Sequence, residues 1–404
     1  MTVKITYGYW PAADLPAERV ERAFEAMKED VGAGRANYIN LPFSRDQLSA
    51  AIGVKEAIGK ITDLVVCGMG GSSLGTKALI SIFGPADGVR IHVLDTIEPE
   101  AVNSVFSSID LKKTMFDVVT KSGNTLETLA LLSVILQRLE KEGIDAGKRI
   151  VITTTESEDN DLYRWATEKG IRTLPFPHGV EGRYSVLSSV GLFPALYMNC
   201  SPEEILRGAE PVAKRYFTEN NDALLFAAKS VAAIEAGRDA HVFLTYSSAL
   251  RETGEWFAQL WAESLGKDGK GQIPVTAVGP AAQHSQLQLY LDGPKNSAIS
   301  LLGIEKHRDD ITLEESDAPA HFLKGKGLSQ ILNAEMEATA LALSEKEVFN
   351  RTLMLERTSG KEVGALLMFL EMATAYTCYL TGVNPYDQPA VEAGKRHTRK
   401  ILGL

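Results

Sequence analysis

Cysteine is scarce in this sequence, and its placement excludes two kinds of site. The 404 residues contain only Cys67, Cys200 and Cys378, which lie far apart. No CxxC zinc or redox motif is therefore present, and nothing suggests a disulfide framework. We expect a protein of the reducing cytoplasm.

Long hydrophobic runs are also missing. The first fifteen residues lack the apolar segment of a signal peptide, and the most apolar run, 365–380, is interrupted by Glu371. Neither secretion nor a membrane span is expected.

Positive charge is the third deficit. The formal net charge is −10. A nucleic-acid or anionic-membrane partner is therefore not expected, since both require a basic surface. If the ligand is nonetheless an anion, a few basic side chains and backbone amides must create positive potential in a small cleft.

What is present fits a globular α/β enzyme. With 45% hydrophobic and 23% charged residues, the chain can build large cores, and its length favours two domains. Strand-like runs are each followed by a helix-length pattern such as 73–83 or 125–141, and they cover 63–67, 90–94, 116–120 and 149–154. This alternation predicts a parallel sheet flanked by helices.

The same alternation restarts near His241, after two mainly helical segments, 202–217 and 222–236. Ser44, with Gln47 three residues later, resembles a capping box that opens a helix before the first strand. We predict an N-terminal helical segment, two tandem doubly wound α/β domains and a C-terminal active-site segment, at 1–50, 51–198, 199–381 and 382–404.

Two loops could hold a phosphate. In "VVTKSGNTLETLALL", from Val118, the polar centre separates a strand from a helix, so hydroxyls and free amides converge at a helix N-terminus. "GMGGSSLG", from Gly68, repeats this one unit earlier, and it fits neither the dinucleotide spacing nor a Walker motif. Ordinary helix caps with turn glycines are the alternative. Lys121 would attract the dianion or simply extend to water.

Several motifs carry a family resemblance. Together they resemble glucose-6-phosphate isomerases, whose phosphate loops belong to the sugar isomerase (SIS) fold, and they extend from Leu64 to Lys395. In chain order they read "GMGGSSLG", "TKSGNTLET", "EGRYSVLSSVGLFPAL", "WAESLGKDGKG", "GPAAQHSQLQLYLDGP" and "GVNPYDQPAVEAGK".

The resemblance implies reversible isomerisation of glucose 6-phosphate and fructose 6-phosphate in glycolysis and gluconeogenesis, by metal-independent proton transfer through an enediolate. It implies no cofactor, and a homodimer with shared active sites. The substrate-binding residues that it implies are Gly71, Ser72, Thr120, Lys121, Ser122, Thr125 and Gln388.

Catalytic roles follow from the same resemblance. It places the proton-transferring carboxylate at Glu263, which by itself reads as a surface glutamate near Lys267. Arg183 would stabilise the enediolate. Its position predicts that it opens an apolar helix, where a cation opposes the helix dipole, so we infer a functional purpose over an exposed loop arginine.

Ring opening requires an acid. The resemblance assigns it to His284, donated to the partner subunit, with assistance from Lys395; a structural histidine is the alternative. Pro389 suits a first helical turn, with Lys395 about two turns later beside Glu392. The sequence departs from the family pattern at Glu181, where a small or polar residue is usual, and at Pro389 and Ala390.

Other functions on this fold stay open. A SIS-type binding module needs the loops without the joint presence of Glu263, Arg183, His284 and Lys395. An aminosugar-phosphate synthase needs an amidotransferase domain with an N-terminal cysteine, and no cysteine precedes Cys67. A mannose-phosphate isomerase is the third alternative. Its substrate differs from glucose 6-phosphate in the configuration of one carbon, which the sequence does not distinguish.

Overall fold

Two five-stranded sheets with flanking helices form the protein, in a computed structural model that describes residues 3–11, 15–218, 221–315 and 319–404. The strands in these ranges are β1 Val3–Tyr7, β2 Asp63–Cys67, β3 Arg90–Leu94, β4 Thr114–Val119, β5 Ile150–Thr154, β6 Arg172–Pro175, β7 Ala240–Thr245, β8 Ile273–Val278, β9 Ser297–Ile304 and β10 Phe349–Leu355.

The helices follow the strands in regular alternation through most of the chain. They are α1 Ala17–Gly32, α2 Asp46–Ile58, α3 Leu74–Phe83, α4 Pro99–Ser108, α5 Leu126–Lys141, α6 Asp161–Glu168, α7 Ser189–Ala195, α8 Pro202–Ala213, α9 Asp222–Glu235, α10 Arg251–Leu265, α11 Ala281–Ser285, α12 Leu287–Asp292, α13 Leu328–Glu345, α14 Gly360–Thr381 and α15 Glu392–Leu402.

The first sheet is parallel throughout, in the order β3-β2-β4-β5-β6. Every residue of β2, β4 and β5 is buried, because helices cover both faces of a doubly wound sheet, and this explains their continuous apolar runs. The carboxyl ends of β2 and β4 lie side by side, so the two hydroxyl-rich loops leave the sheet at one edge.

The second sheet has the order β1-β10-β9-β7-β8 and is parallel except for β1. β1 pairs antiparallel with β10, with Val3 opposite Leu355. The predicted N-terminal helical segment, 1–50, therefore begins with a strand, and its helices follow. β1 buries one face only, and five residues with alternating exposure carry little apolar signal.

The predicted capping box is also corrected. Helix α2 begins at Asp46, whose amide donates to Ser44 Oγ at 3.0 Å. The side chain of Gln47 does not return to the helix start. Its Oε1 accepts from Ser189 Oγ at 2.9 Å, so Gln47 joins two distant segments.

Helix α14 is central to the core. The largest apolar cluster includes Leu64 of the first sheet, Leu302 of the second and Leu366 of α14. Among the described residues α14 is also the one helix that is long and apolar enough to cross a membrane, but 94% of its most apolar window is buried inside the protein. Burial raises the pKa of Glu371, which lies in this helix, well above its usual value.

The domain boundaries given above remain a proposal. Their support is that the strands of the first sheet lie between residues 63 and 175, and those of the second, β1 excepted, between 240 and 355.

Asp117 makes stability depend on pH. It lies in the middle of β4, where Thr153 Oγ1 donates to Oδ1 at 2.7 Å and burial raises the carboxyl pKa to about 7. The usual aspartate pKa is near 4, so the folded state retains this proton more strongly than the unfolded state. Its stabilising contribution is complete below about pH 4 and is lost as the pH rises to about 7.

We therefore expect Asp117→Asn to gain stability relative to the wild type between pH 4 and pH 8, by up to about 4 kcal/mol. Urea unfolding at several pH values measures the difference. The exposed Asp87 supplies the control, Asp87→Asn. A stability difference for Asp117→Asn that is constant across this pH range contradicts the assignment.

Candidate active site

Both hydroxyl-rich loops lead into helices that no side chain caps. The cap positions Ser73 of α3 and Thr125 of α5 accept no side-chain hydrogen bond from the helix amides. Asn160, by contrast, caps α6. The first amides of α3 and α5 thus have no capping side chain and can donate to an anion.

The loop after β4 is held tightly. Gly123 has a φ of +70°, which favours glycine. A Cβ at this position would also overlap the side-chain amide oxygen of Asn160. Thr120 Oγ1 lies 3.0 Å from Thr125 Oγ1, and the backbone oxygen of Thr120 accepts from Thr154 Oγ1 at 2.6 Å. The two threonine hydroxyls therefore brace the turn.

One open cavity of about 500 Å³ collects most of the candidate residues. The candidates that line it are Lys121, Ser122, Arg183, Glu263, Gln388 and Lys395. They come from residues 121 to 395, so folding alone brings them together.

Arg183 is buried at the centre of this arrangement, with 2% of its surface exposed. Its Nε donates to Ser264 Oγ at 2.8 Å, and its Nη1 donates to Gln388 Oε1 at 2.7 Å and to Glu263 Oε2 at 3.3 Å. Its Nη2 donates to the backbone oxygens of Pro385 and Asp387 at 2.5 and 3.2 Å. The alternative of an exposed loop arginine is excluded.

The reason given for Arg183 from the sequence was nevertheless wrong. Arg183 lies in a short 3₁₀ turn, Gly182–Tyr184, and helix α7 begins only at Ser189. The arginine therefore does not oppose a helix dipole.

Both oxygens of the Glu263 carboxylate are held. Gln259 Nε2 donates to Oε1 at 2.9 Å, and Arg183 contacts Oε2. One third of the Glu263 side chain remains exposed to the cavity. Sequence reasoning missed Gln259, although its position four residues before Glu263 on α10 was a usable signal.

The C-terminal segment is fastened to α10 from a second side. Lys267 Nζ lies 2.9 Å from Asp387 Oδ1 and lowers the pKa of that carboxyl. Lys270 Nζ donates to the backbone oxygen of Thr381 at 2.9 Å. Residues 381–388 are thus held in place beside Glu263.

The two lysines of the cavity both have acidic partners. Lys121 Nζ lies 2.7 Å from Glu181 Oε1, and Lys395 Nζ lies 2.7 Å from Glu392 Oε1. The second contact lowers the pKa of Glu392. Both ammonium groups are partly exposed and can reach a ligand.

The remaining candidates lie outside the cavity lining. Ser72 and Thr120 are buried, and Thr125 is half-buried, behind the loop surface. Gly71 packs against Gly182, where a Cβ would overlap the Gly182 backbone. His284 is exposed on α11 and does not line this cavity of its own chain.

Two hydroxyl-rich loops at the carboxyl ends of neighbouring parallel strands, and a cavity lined by carboxylates paired with cations, are the features expected of a SIS-type sugar-phosphate isomerase. A family model described as phosphoglucose isomerase matches residues 45–403. The chain belongs to the phosphoglucose isomerase family and is an isomerase.

Relatives and solved structures agree. A glucose-6-phosphate isomerase of Rubrobacter xylanophilus is 37% identical, over 91% of this chain and 89% of that protein. A glucose-6-phosphate isomerase of Thermus thermophilus is 35% identical, over 95% of this chain and 94% of that protein. The structure of a glucose-6-phosphate isomerase from Chlamydia trachomatis has the same fold, with a TM-score of 0.82 at 22% identity, over 100% of this chain and 88% of that one.

The close packing at Gly71 gives a test of the site's geometry. We expect Gly71→Ala to displace the turn that carries Arg183, because its Cβ would overlap the Gly182 backbone. Isomerase kcat/KM should fall by about 100-fold or more, as expected when a catalytic group moves by about 1 Å.

A matched control is Gly53→Ala in helix α2, where a Cβ meets nothing within 4 Å. It should retain activity and gain up to about 1 kcal/mol of stability. A fully active Gly71→Ala enzyme contradicts the packing argument.

Proposed function

We propose that the protein interconverts glucose 6-phosphate and fructose 6-phosphate through an enediolate, without a metal. The observation that carries the proposal is the single cavity that contains Lys121 and Ser122 of a phosphate loop together with Glu263 and Arg183. The phosphate takes no part in the chemistry, so its binding energy can position the reacting carbons.

Glu263 is the proposed proton carrier. Its carboxylate removes the proton from C2 of the open-chain aldose and returns it to C1 from the same face. Gln259 and Arg183 restrict its orientation, since each contacts a different carboxylate oxygen. The exposed third of the side chain faces the cavity in which the sugar would lie.

Arg183 is the proposed stabiliser of the enediolate oxygen. Its charge is buried and positioned before the substrate arrives, so little reorganisation is needed as negative charge develops. This fixed cation can do what a metal ion does in other isomerases. Activity that survives EDTA would support that part of the proposal.

Lys395 and His284 are the proposed ring-opening groups. Lys395 reaches the cavity from α15, whereas His284 is exposed elsewhere on its own chain. We propose that a homodimer brings His284 of one subunit to the cavity of the other, and that the enzyme acts in the cytoplasm in glycolysis and gluconeogenesis.

Mannose 6-phosphate is a second candidate substrate, because it differs from glucose 6-phosphate in the configuration at C2 alone. A binding module is disfavoured because such a module has no need for a carboxylate held between two donors. Purified protein with EDTA and a panel of hexose 6-phosphates distinguishes these functions.

The role of Glu263 is tested by Glu263→Gln. We expect isomerase kcat to fall by about 10⁴-fold or more, because the amide cannot accept the proton. The Kd for inorganic phosphate should change by less than about twofold, since Lys121 and Ser122 are untouched. In heavy water, wild-type product should carry solvent deuterium.

Glu255→Gln, an exposed position on the same helix, is the control and should remain active. A Glu263→Gln enzyme that keeps most of its activity refutes the assignment. Product without solvent deuterium argues for hydride transfer.

The shared site is tested by mixing subunits. His284→Ala and Glu263→Gln homodimers should each be nearly inactive, but co-expressed chains should recover about a quarter of wild-type activity. Half of the dimers are then mixed, and each mixed dimer has one intact site if the two residues come from different subunits. If verified mixed dimers recover no activity, His284 and Glu263 of each site come from the same subunit and the shared-site proposal is wrong.

A further inference from the structure

Lys121 already has an anionic partner in the cavity where a phosphate is expected. Its Nζ lies 2.7 Å from Glu181 Oε1, and the two side chains are 37% and 23% exposed. Both residues line the same cavity as Ser122 and Glu263. Most of the positive charge that this loop offers is therefore balanced before any ligand arrives.

The backbone on both sides of the pair is fixed. The backbone oxygen of Glu181 accepts from the Tyr184 amide at 2.9 Å, and the next residue, Gly182, is packed against Gly71. On the other side, the backbone oxygen of Lys121 accepts from the Thr155 amide at 3.3 Å. Both backbones are thus anchored, so we expect the two side chains to be the groups that respond to a ligand.

We propose that Glu181 is a resident counter-ion of Lys121 that competes with every incoming anion for the ammonium group, and that it thereby sets how many other contacts an anion needs in order to occupy the site. The inference rests on the proposed function in one respect, that this loop binds the phosphate of the substrate. A phosphate that contacts Lys121 lies close to the Glu181 carboxylate, and like charges at that distance repel each other. The anion must then move the carboxylate or bind beside it.

This repulsion lowers the affinity of the site for every anion. A phosphate monoester can compensate through Ser122 and the uncapped amides at the start of α5, which together recognise a tetrahedral anion. Chloride or a carboxylate makes fewer of these contacts and does not offset the repulsion. The repulsion weakens the binding of every anion, so only an anion that makes the other contacts still binds tightly enough to occupy the site.

A purely orienting role makes the opposite prediction. If Glu181 served only to hold Lys121 in its binding position, neutralising Glu181 would weaken phosphate binding. If Glu181 competes with the ligand, neutralising it strengthens binding. The sign of the change therefore separates the two roles.

The test compares wild-type enzyme with Glu181→Gln, which keeps the size of the side chain and removes its charge. Calorimetric titration at constant ionic strength measures the Kd for inorganic phosphate, and inhibition of isomerisation measures the Ki for phosphate and chloride. We expect the phosphate Kd and Ki to fall about tenfold and chloride inhibition to strengthen, with kcat within about twofold. KM for the hexose phosphate should fall with the phosphate Kd.

Glu158→Gln is the matched control. Glu158 is exposed in the loop after β5 and lies outside the cavity lining, so its phosphate Kd should match the wild type. Glu181→Ser, which has the shorter side chain that the family pattern favours, is a second variant in case Glu181→Gln folds poorly, and it should change the Kd in the same direction. An unchanged or weaker phosphate affinity in the folded variants overturns the proposal.

The failure of this inference can be told apart from the failure of the proposed function. Calorimetry with inorganic phosphate needs no turnover. If the wild-type protein binds phosphate but isomerises neither hexose phosphate, the proposed function fails while the Glu181 comparison still decides the inference.

Discussion

The buried guanidinium of Arg183 is the group on which the geometry of the site depends. A charge with 2% exposure is tolerated only when its donors are satisfied. Its partners come from two other parts of the chain, Glu263 and Ser264 on α10 and residues 385–388 of the C-terminal segment. The hydrogen bonds that Arg183 requires therefore bring helix α10 and the C-terminal segment together at the site.

A buried tyrosine cluster supports this centre. Tyr184 OH lies 3.1 Å from Ser264 Oγ, which also accepts from Arg183. The ring of Tyr184 packs on Tyr38 and Tyr386, with centroids 4.6 and 5.7 Å apart. Arg183 is thereby braced by aromatic packing as well as by hydrogen bonds.

The cluster extends to the N-terminal helix. Tyr386 OH lies 3.0 Å from Tyr379 OH, which donates to Asp30 Oδ2 of α1 at 2.6 Å. Burial is the main cause that raises the pKa of both tyrosines, so the hydroxyls stay neutral hydrogen-bonding groups. Helix α1, which is remote in sequence from every candidate residue, thus helps to hold the active-site segment.

Much of the fold could be predicted from the sequence, and part of the site. Buried parallel strands are continuous apolar runs, and the loops after β2 and β4 carry hydroxyls at a recognisable point of the chain. Glu263 could be chosen only by family resemblance, because nothing local distinguishes it from other acidic residues. Gln259 was missed although its spacing was visible, and the helix-dipole argument for Arg183 selected the right residue for a wrong reason.

The sequence alone determined the local elements, because strand and helix periodicity and turn chemistry depend on residues close in the chain. Tertiary structure alone decided what those elements meet: β1 beside β10, Gln47 against Ser189, and Glu181 against Lys121. These contacts join residues 60 to 352 positions apart. Such pairs leave no periodic trace in the sequence, because their energy arises only when the core has closed around them.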